Sequence, residues 1–584
     1  MRSTLLLLTL CTLAAGCSRS DEPRPASDEP ADARVRALAD EYVNGFFDRF
    51  PEQVTYYGVA GRRHDRLTDN SPTALAQWHG REDGWFADVR AIDPATIEAA
   101  PMRATYAILR EALESSVATR VCRSELWNVS QMTGWHVGYG YLLTIQPVGS
   151  DETRQEALAR WGALPRVIDT EIANLREGMK QGFTAPRHIV RIVIDQVRSL
   201  ASAPAAGSPL LAPARNDKTP EFEKAFAALI TGQVVPAIRR YADFLERDYM
   251  PAARETTSVS DHPDGPACYT ASIRAFSTLS RSAKDVHETG LREVARIDAE
   301  MKAVAERSFG TSDVPGLMQR LRTDPMYMFR SREELVRYSQ AALERTRAAA
   351  PDWFGLLPRA DVRIEPYPPY RERNAPGEYN PPSEDGTRPA LFYISAYEPT
   401  KKTRADNEST AFHETIPGHH LQVAIALERK DIHPIGRYIF NSGYVEGWAL
   451  YAEQLADEMQ LFSGELDRLG MLGSQNWRAV RLVVDTGLHA LGWSRQQAID
   501  YMLAHTPANA NDAAAEIDRY IIWPGQATSY MLGRLEILAA REDARAAAGA
   551  GFDIKAFHDR VLEDGSVPLT FLREKVRASF AAAP

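Results

Sequence analysis

The sequence predicts a mainly α-helical protein with one small β-sheet, and three observations carry that prediction. Apolar residues recur at three- and four-residue spacing through most of the 584 residues, as at Leu38, Tyr42, Val43 and Phe46. Helix-start signals, Ser331 with Glu334 and Ser494 with Gln497, stand just ahead of further helical stretches. Only Val362-Arg363-Ile364 and Leu391 to Ser395 read as strands, separated by a Pro/Gly-rich loop from Pro366 to Pro389.

From the N-terminus, Arg2 precedes an apolar run from Leu5 to Leu13 and then Ala14-Ala15-Gly16-Cys17. A basic start, a short apolar run and small residues describe an export signal over 1–16. The run falls short of the roughly 20 apolar residues that span a bilayer. Small residues ahead of a cysteine also resemble the bacterial lipobox, in which the cysteine, here Cys17, is lipidated; plain secretion with cleavage nearby is the competing reading. The position three before the cysteine, usually Leu, is Ala14. Ser18 then favours the outer membrane, facing the periplasm of a Gram-negative cell envelope, with membrane contact only through the lipid. Residues 17–34, rich in Pro, Asp, Glu, Ser and Ala, form a disordered tether.

The helical region extends over 35–584. It is expected to divide into an N-terminal lobe, about 35–266, and a catalytic lobe, about 267–584, facing each other across a cleft. Plain helical segments run from Leu291 to Arg307 and from Gln454 to Leu469, and Ala201 to Pro220 reads as a loop. Cys122 and Cys268 are either one disulfide or two buried thiols in an oxidising compartment. A hydrophobic fraction of 44% and a charged fraction of 25% are ordinary for a globular protein. A net charge of -10 leaves no basic footprint, which excludes nucleic acid as a partner.

The chemistry is concentrated in residues 411–422, Ala-Phe-His-Glu-Thr-Ile-Pro-Gly-His-His-Leu-Gln. In the zinc signature His-Glu-x-x-His, ligands four apart share a helix face and the glutamate acts as base. Here the residue four after His413 is Pro417, which has no ligand atom. Setting aside Pro417 and Gly418 leaves His413-Glu414-Thr415-Ile416-His419, the complete pattern. Proline lacks the N–H a helix interior needs, and glycine tolerates angles others avoid. A Pro-Gly bulge would therefore return both histidines to one face. In an unbroken helix His420 would share the face of His413, but about two turns away. His419 is preferred as ligand, with His420 supporting the ligand shell. Ordinary polar residues near a helix end are the competing reading. Three of 13 histidines within eight residues, around a glutamate in the expected place, argue against it. His287-Glu288-Thr289-Gly290-Leu291 begins alike but has no second histidine and reads as a solvated helix face.

A third ligand is expected on a following helix, where Glu446 and Glu453 are seven apart and share a face. Glu446 is preferred because Gly447 permits close helix approach. Glu453 is the fallback, or the partner of an imidazole.

His-Glu-x-x-Pro-Gly-His-x-x-Gln followed by Glu-Gly-Trp-Ala-x-Tyr resembles the bacterial family called domain of unknown function 885 (DUF885), many of whose members are exported lipoproteins. The likeness covers most of the mature chain and is strongest from Leu391 to Leu535. It includes Asp485 to His489, Tyr520 to Ala527, Tyr530 and Gly533. That family resembles gluzincin peptidases, which implies a large helical metallopeptidase-like fold, a sheet next to the metal-binding helix, Zn2+ as cofactor and a glutamate as third ligand. His489 and Tyr530 are candidates to donate hydrogen bonds to an oxyanion. Arg481 and Arg534 are candidates to hold a substrate carboxylate. Helix-packing polar residues are the competing reading for all four. The strand from Leu391 to Ser395, with Tyr393, would bind extended peptide by strand addition.

These readings converge on an exported zinc-dependent peptidase acting on short peptides. Glu414 takes a proton from water and delivers it to the leaving amine. Two alternatives use the same site: a zinc amidohydrolase acting on a non-peptide or cell-wall amide, and a catalytically inactive peptide-binding lipoprotein. A purely structural envelope protein would leave the motif unexplained.

Overall fold

A computed structural model describes residues 29–581 apart from 205–206, 368–371 and 373–376. The expected signal and Cys17 lie outside the described residues. The described chain is mainly helical, 71% helix, with a small three-stranded mixed sheet. No described helix is long and apolar enough to cross a membrane.

Only the elements that position the site are labelled. Helix α1 (Ala31–Arg49) turns Val35, Ala39, Tyr42, Val43 and Phe47 inward, the spacing an amphipathic helix requires. It starts at Ala31, so residues 31–34, expected to belong to the tether, are helical. Helix α2 (Ala100–Thr119) packs against α1 and against α3 (Gly265–Ser277). A disulfide from Cys122 to Cys268 fixes α3 to the turn that follows α2, across 146 residues of sequence. Between them in the sequence, helix Val235–Phe244 packs against both Leu164–Gln181 and Arg187–Ser202. The stretch from Ala201 to Pro220 is not wholly a loop, since Ala212–Asp217 is helical.

Helix α4 (Ala283–Phe309) continues through the expected 291–307 segment at both ends. His287 lies on it half-buried against Thr486, 2.8 Å away, and so is not on a fully solvated face. Helix α5 (Arg332–Trp353) is capped by Ser331, whose hydroxyl accepts from Glu334 N–H. The Glu334 carboxylate reaches Arg330 N–H instead of completing a capping box. At Ser494 and Gln497 the box is complete.

The sheet has the order β1–β3–β2, with β1 (Val362–Pro366), β2 (Glu378–Asn380) and β3 (Ala390–Ile394). β3 runs parallel to β1, with Ile364 opposite Phe392, and antiparallel to β2, with Tyr379 opposite Phe392. β2 lies inside the expected Pro/Gly-rich loop. β3 is thus the central strand, and both of its edges are paired. Strand addition at Leu391 to Ser395 is excluded, because no edge remains to receive a peptide.

Next come α6 (Asn407–Glu414), α7 (His419–Glu428) and α8 (Ser442–Glu458). The helix expected over 454–469 is interrupted. α8 stops at Glu458, Gln460 takes φ +59, and Leu461 N–H donates to Ala456 carbonyl at 2.9 Å. Helix α9 (Glu465–Ala490) begins after Gly464 and packs along α4. Helices α10 (Ala510–Ile522) and α11 (Ser529–Ala548) complete the site walls. α8 and α11 cross at glycines: a Cβ on Gly447 would lie 2.5 Å from Gly533 Cα, and one on Gly533 1.9 Å from Gly443 carbonyl oxygen. Only the missing side chains let the two backbones approach so closely.

Candidate metal centre

The segment carrying His413 and His419 is two helices rather than one helix with a bulge. α6 ends at Glu414, Thr415 leaves helical angles (φ -111, ψ -122), and α7 starts at His419. Thr415 carbonyl accepts from His420 N–H at 3.1 Å and from Leu421 N–H at 3.4 Å. With Pro417 and Gly418 discounted, the Leu421 bond has the i→i−4 register of a helix, so the winding resumes two residues out. Trp448 Nε1–H on α8 donates to Pro417 carbonyl at 2.9 Å and pins the turn. Gly418 presses on the end of α6: a Cβ there would lie 1.9 Å from His413 carbonyl oxygen and 2.4 Å from that of Phe412.

This turn brings the imidazoles of His413 and His419 to 4.8 Å between ring centres, nearly perpendicular. Glu446, on the first turns of α8, completes the group. His413 Nε2 is 3.7 Å and His419 Nε2 3.5 Å from Glu446 Oε2. One ligand atom from each residue lies within 4.8 Å of the others. Ligands about 2.1 Å from a tetrahedral zinc lie about 3.4 Å apart, so two of these separations already approach a coordination edge. Two imidazole nitrogens and a carboxylate suit zinc chemically.

The surroundings orient these atoms. His413 Nδ1 is 2.8 Å from Glu453 Oε1, and the other Glu453 oxygen accepts from Ser409 hydroxyl at 2.7 Å. Glu453 is fully buried about two turns along α8 from Glu446 on the same face, and its bond orients the His413 ring so that Nε2 faces Glu446. Burial opposes charge on His413, but its bonds to Glu446 and Glu453 outweigh burial and raise its pKa. Glu446 is likewise opposed by burial yet held well below the carboxylate range by the two histidines.

Glu414 is placed beside this group and makes a different contact: its Oε2 accepts the backbone N–H of Tyr379 at 3.1 Å. Burial raises its pKa, against the pull of His419 and His413. Tyr379, on β2, also stacks near His419 and bonds its hydroxyl to His420 Nδ1 at 3.1 Å. His420 Nε2 is 2.9 Å from Ala360 carbonyl. Both His420 nitrogens are therefore engaged away from the cluster, and it braces Tyr379 rather than an imidazole ligand.

His413, Glu414, His419, Glu446, Tyr379 and Tyr530 line one cavity of about 1470 Å³. Tyr530, on α11, is kept protonated by burial and by the negative charge of Glu446. Arg481 lies on the same wall, its guanidinium carbon 4.4 Å from the Tyr530 ring centre. Three residues expected in catalysis or substrate binding are not on this cavity. His489 is buried with Nδ1 accepting Val259 N–H at 3.1 Å and Nε2 3.0 Å from Tyr520 carbonyl. Both nitrogens serve helix packing, and burial lowers its pKa to about 3. Arg534 is buried against Gln454 and Met531. Tyr393 stacks on Tyr367, with ring centres 5.1 Å apart.

Sequence reasoning missed Tyr379, because a three-residue strand in a Pro/Gly-rich stretch has no period to detect. It also missed Ser409, although a hydroxyl four residues before His413 shares its helix face. Arg478, Arg519 and Glu516 stand in no motif that marks them, yet all line the cavity.

Fold and site define a mainly helical protein with a two-histidine, one-carboxylate cluster on a large cavity. The chain belongs to the family described as bacterial protein of unknown function (DUF885), which matches residues 51–576. Among solved structures it is similar to "the putative lipoprotein from Colwellia psychrerythraea", with 25% identity and a TM-score of 0.87 over 95% of this chain and 100% of that one. It shares its fold with "a putative lipoprotein of unknown function from Shewanella oneidensis", at 17% identity and a TM-score of 0.72 over 92% and 99% of the two chains. No curated protein matches the chain.

Proposed function

We propose that this protein is an exported zinc-dependent hydrolase that cleaves peptide bonds in short peptides. The observation that carries the reading is the joint placement of His413 Nε2, His419 Nε2 and Glu446 Oε2, with Glu414 beside them and bonded elsewhere. A zinc ion held by those three residues would supply Lewis acidity toward water and a scissile carbonyl. Glu414, its pKa raised by burial, accepts a proton from water and returns it to the leaving nitrogen. Its bond to Tyr379 N–H fixes the carboxylate orientation through the transfer. Tyr530, protonated and on the cavity wall, donates a hydrogen bond where negative charge develops on the carbonyl oxygen.

The cavity exceeds the roughly 300–1,000 Å³ of a drug-sized pocket, which supports a peptide of a few residues. The gluzincin likeness of the motif supports the reaction class. The lipoprotein descriptions of the solved relatives support anchoring through Cys17 in the cell envelope, and Ser18 supports the outer membrane. A zinc amidohydrolase would use the same groups, and a panel of peptide and non-peptide amides separates the two.

The test pairs metal analysis with Glu414→Gln. Protein purified without chelator should carry about one zinc per chain. The variant should keep its zinc and fold while losing at least about 10³-fold in turnover. Undiminished turnover in Glu414→Gln would refute the mechanism, and protein that takes up no zinc would refute the metal.

A further inference from the structure

Beside the candidate metal ligands, the cavity wall formed by α9 and α10 is rich in guanidinium groups. Arg478 and Arg481 come from α9 and Arg519 from α10, and all three line the cavity. The one carboxylate set among them is Glu516, and a single oxygen of it is heavily used. Glu516 Oε2 accepts from Arg481 Nη2 at 3.0 Å, Arg519 Nη2 at 3.2 Å, Tyr520 hydroxyl at 2.5 Å and Trp477 Nε1 at 3.4 Å. Arg478 approaches Glu453 at 3.7 Å, but both oxygens of Glu453 already accept from His413 and Ser409.

The wall is therefore short of anions. Over the whole lining, seven Lys and Arg side chains face six carboxylates, and Glu414 and Glu446 among those six belong to the metal site. Two described guanidinium Nη atoms are buried without a hydrogen-bond partner, Arg254 Nη2 and Arg481 Nη1, and only Arg481 is on this cavity. Arg481 is just 8% exposed, so solvent does little to compensate that N–H group. Buried guanidinium groups in surplus over their carboxylates form a site for a planar anion, which a guanidinium fork binds through paired bonds.

The position of the cluster says where on a substrate that anion sits. Arg478 Nη2 is 3.7 Å from Glu453 Oε1, which is itself 2.8 Å from His413 Nδ1, and Tyr530 covers the Arg481 guanidinium on the same cavity. The arginines thus stand about one side chain away from the metal ligands, a span of one or two residues at about 3.5 Å each. We propose that Arg481, with Arg478 and Arg519, binds a substrate carboxylate one or two residues beyond the scissile bond. The free C-terminus of a short peptide is the source expected, and an acidic side chain carries the same chemistry. This specificity rests on the hydrolase reading. Water adds across one C–N bond, releasing a shortened peptide and a small free-acid fragment.

The experiment compares one short neutral peptide as free acid, the same peptide as C-terminal amide, and an amide carrying Glu next to the cleaved bond. The free acid should be cleaved within two residues of its C-terminus, by mass spectrometry, with kcat/KM about 10²-fold above the neutral amide. If the Glu-containing amide also exceeds the neutral amide about 10²-fold, the carboxylate site stands with a side chain as its source. All three peptides turned over within threefold of one another overturn the proposal. In Arg481→Met the acid-over-amide preference should collapse to within about threefold, with folding checked by thermal melting. Should that variant not fold, the wild-type ratio still decides.

Absence of turnover on every peptide would count against the hydrolase reading alone. The carboxylate site is then judged by calorimetric binding of the free acid and the amide to the same protein. At least tenfold tighter binding of the acid upholds it, and equal affinity overturns it.

Discussion

Replacing Gly418 with alanine tests whether the Pro-Gly turn builds the metal site by close packing. A Cβ at this position would stand 1.9 Å from His413 carbonyl oxygen, where real Cβ atoms essentially never come within 3.0 Å. The separation must therefore open by 1.1 Å. The carbonyl belongs to one candidate ligand and the next residue, His419, is another, so the displacement falls directly between them. Metal–ligand distances tolerate only about 0.2 Å, and disturbing what holds a ligand in place costs about 10–100-fold in metal affinity. The upper end of that range is about 2.7 kcal/mol of zinc binding. The overpacking itself should destabilise the fold by about 1–3 kcal/mol. A competition titration against a chromophoric chelator, with circular dichroism to confirm the fold, reads the effect. Zinc affinity within threefold of wild type in folded Gly418→Ala would show that the turn does not set the spacing of the imidazoles.

Three other outcomes follow from the same geometry. His419→Ala should weaken zinc binding by well over 10²-fold and His420→Ala by less than about tenfold, since His420 spends both nitrogens on Tyr379 and Ala360; the opposite order in a titration would make His420 the ligand. Glu453→Ala removes the partner of His413 Nδ1 and should weaken zinc binding about 10–100-fold without removing a ligand; an unchanged affinity would leave Glu453 with packing alone. Reducing the Cys122–Cys268 disulfide relaxes a closure of 146 residues and should lower unfolding free energy by up to about 5 kcal/mol, measured as a shift in denaturation midpoint with and without reductant.

The sequence by itself determined the helical class and the presence of its longer helices, though not where they end, because an amphipathic period is written into consecutive residues while a helix end is not. It also determined which groups approach one another at the candidate site. His413 and His419 could be paired by discounting Pro417 and Gly418, and Glu446 with Glu453 could be placed on one face of a helix. Those inferences rest on local geometry, in which three or four residues share a surface. Gly447 was legible for a related reason, since a glycine beside a buried carboxylate points to a close backbone approach.

Tertiary structure decided what depends on residues far apart in the chain. β3 became a central strand only because the three residues of β2 paired with it, and that pairing closed the edge expected to take a peptide. The same short strand delivered Tyr379 N–H to Glu414, a contact no periodicity announces. His489 and Arg534 stood in recognisable motifs, yet Val259, Tyr520 and Gln454 drew them into the packing between helices. Arg481 could be marked from the sequence as a carboxylate holder, but Arg478 and Arg519 joined it only because α9 and α10 turned all three onto the cavity. A side chain's chemistry is fixed by its type, but whether it meets solvent, a ligand or another helix is fixed by which distant backbone lies opposite.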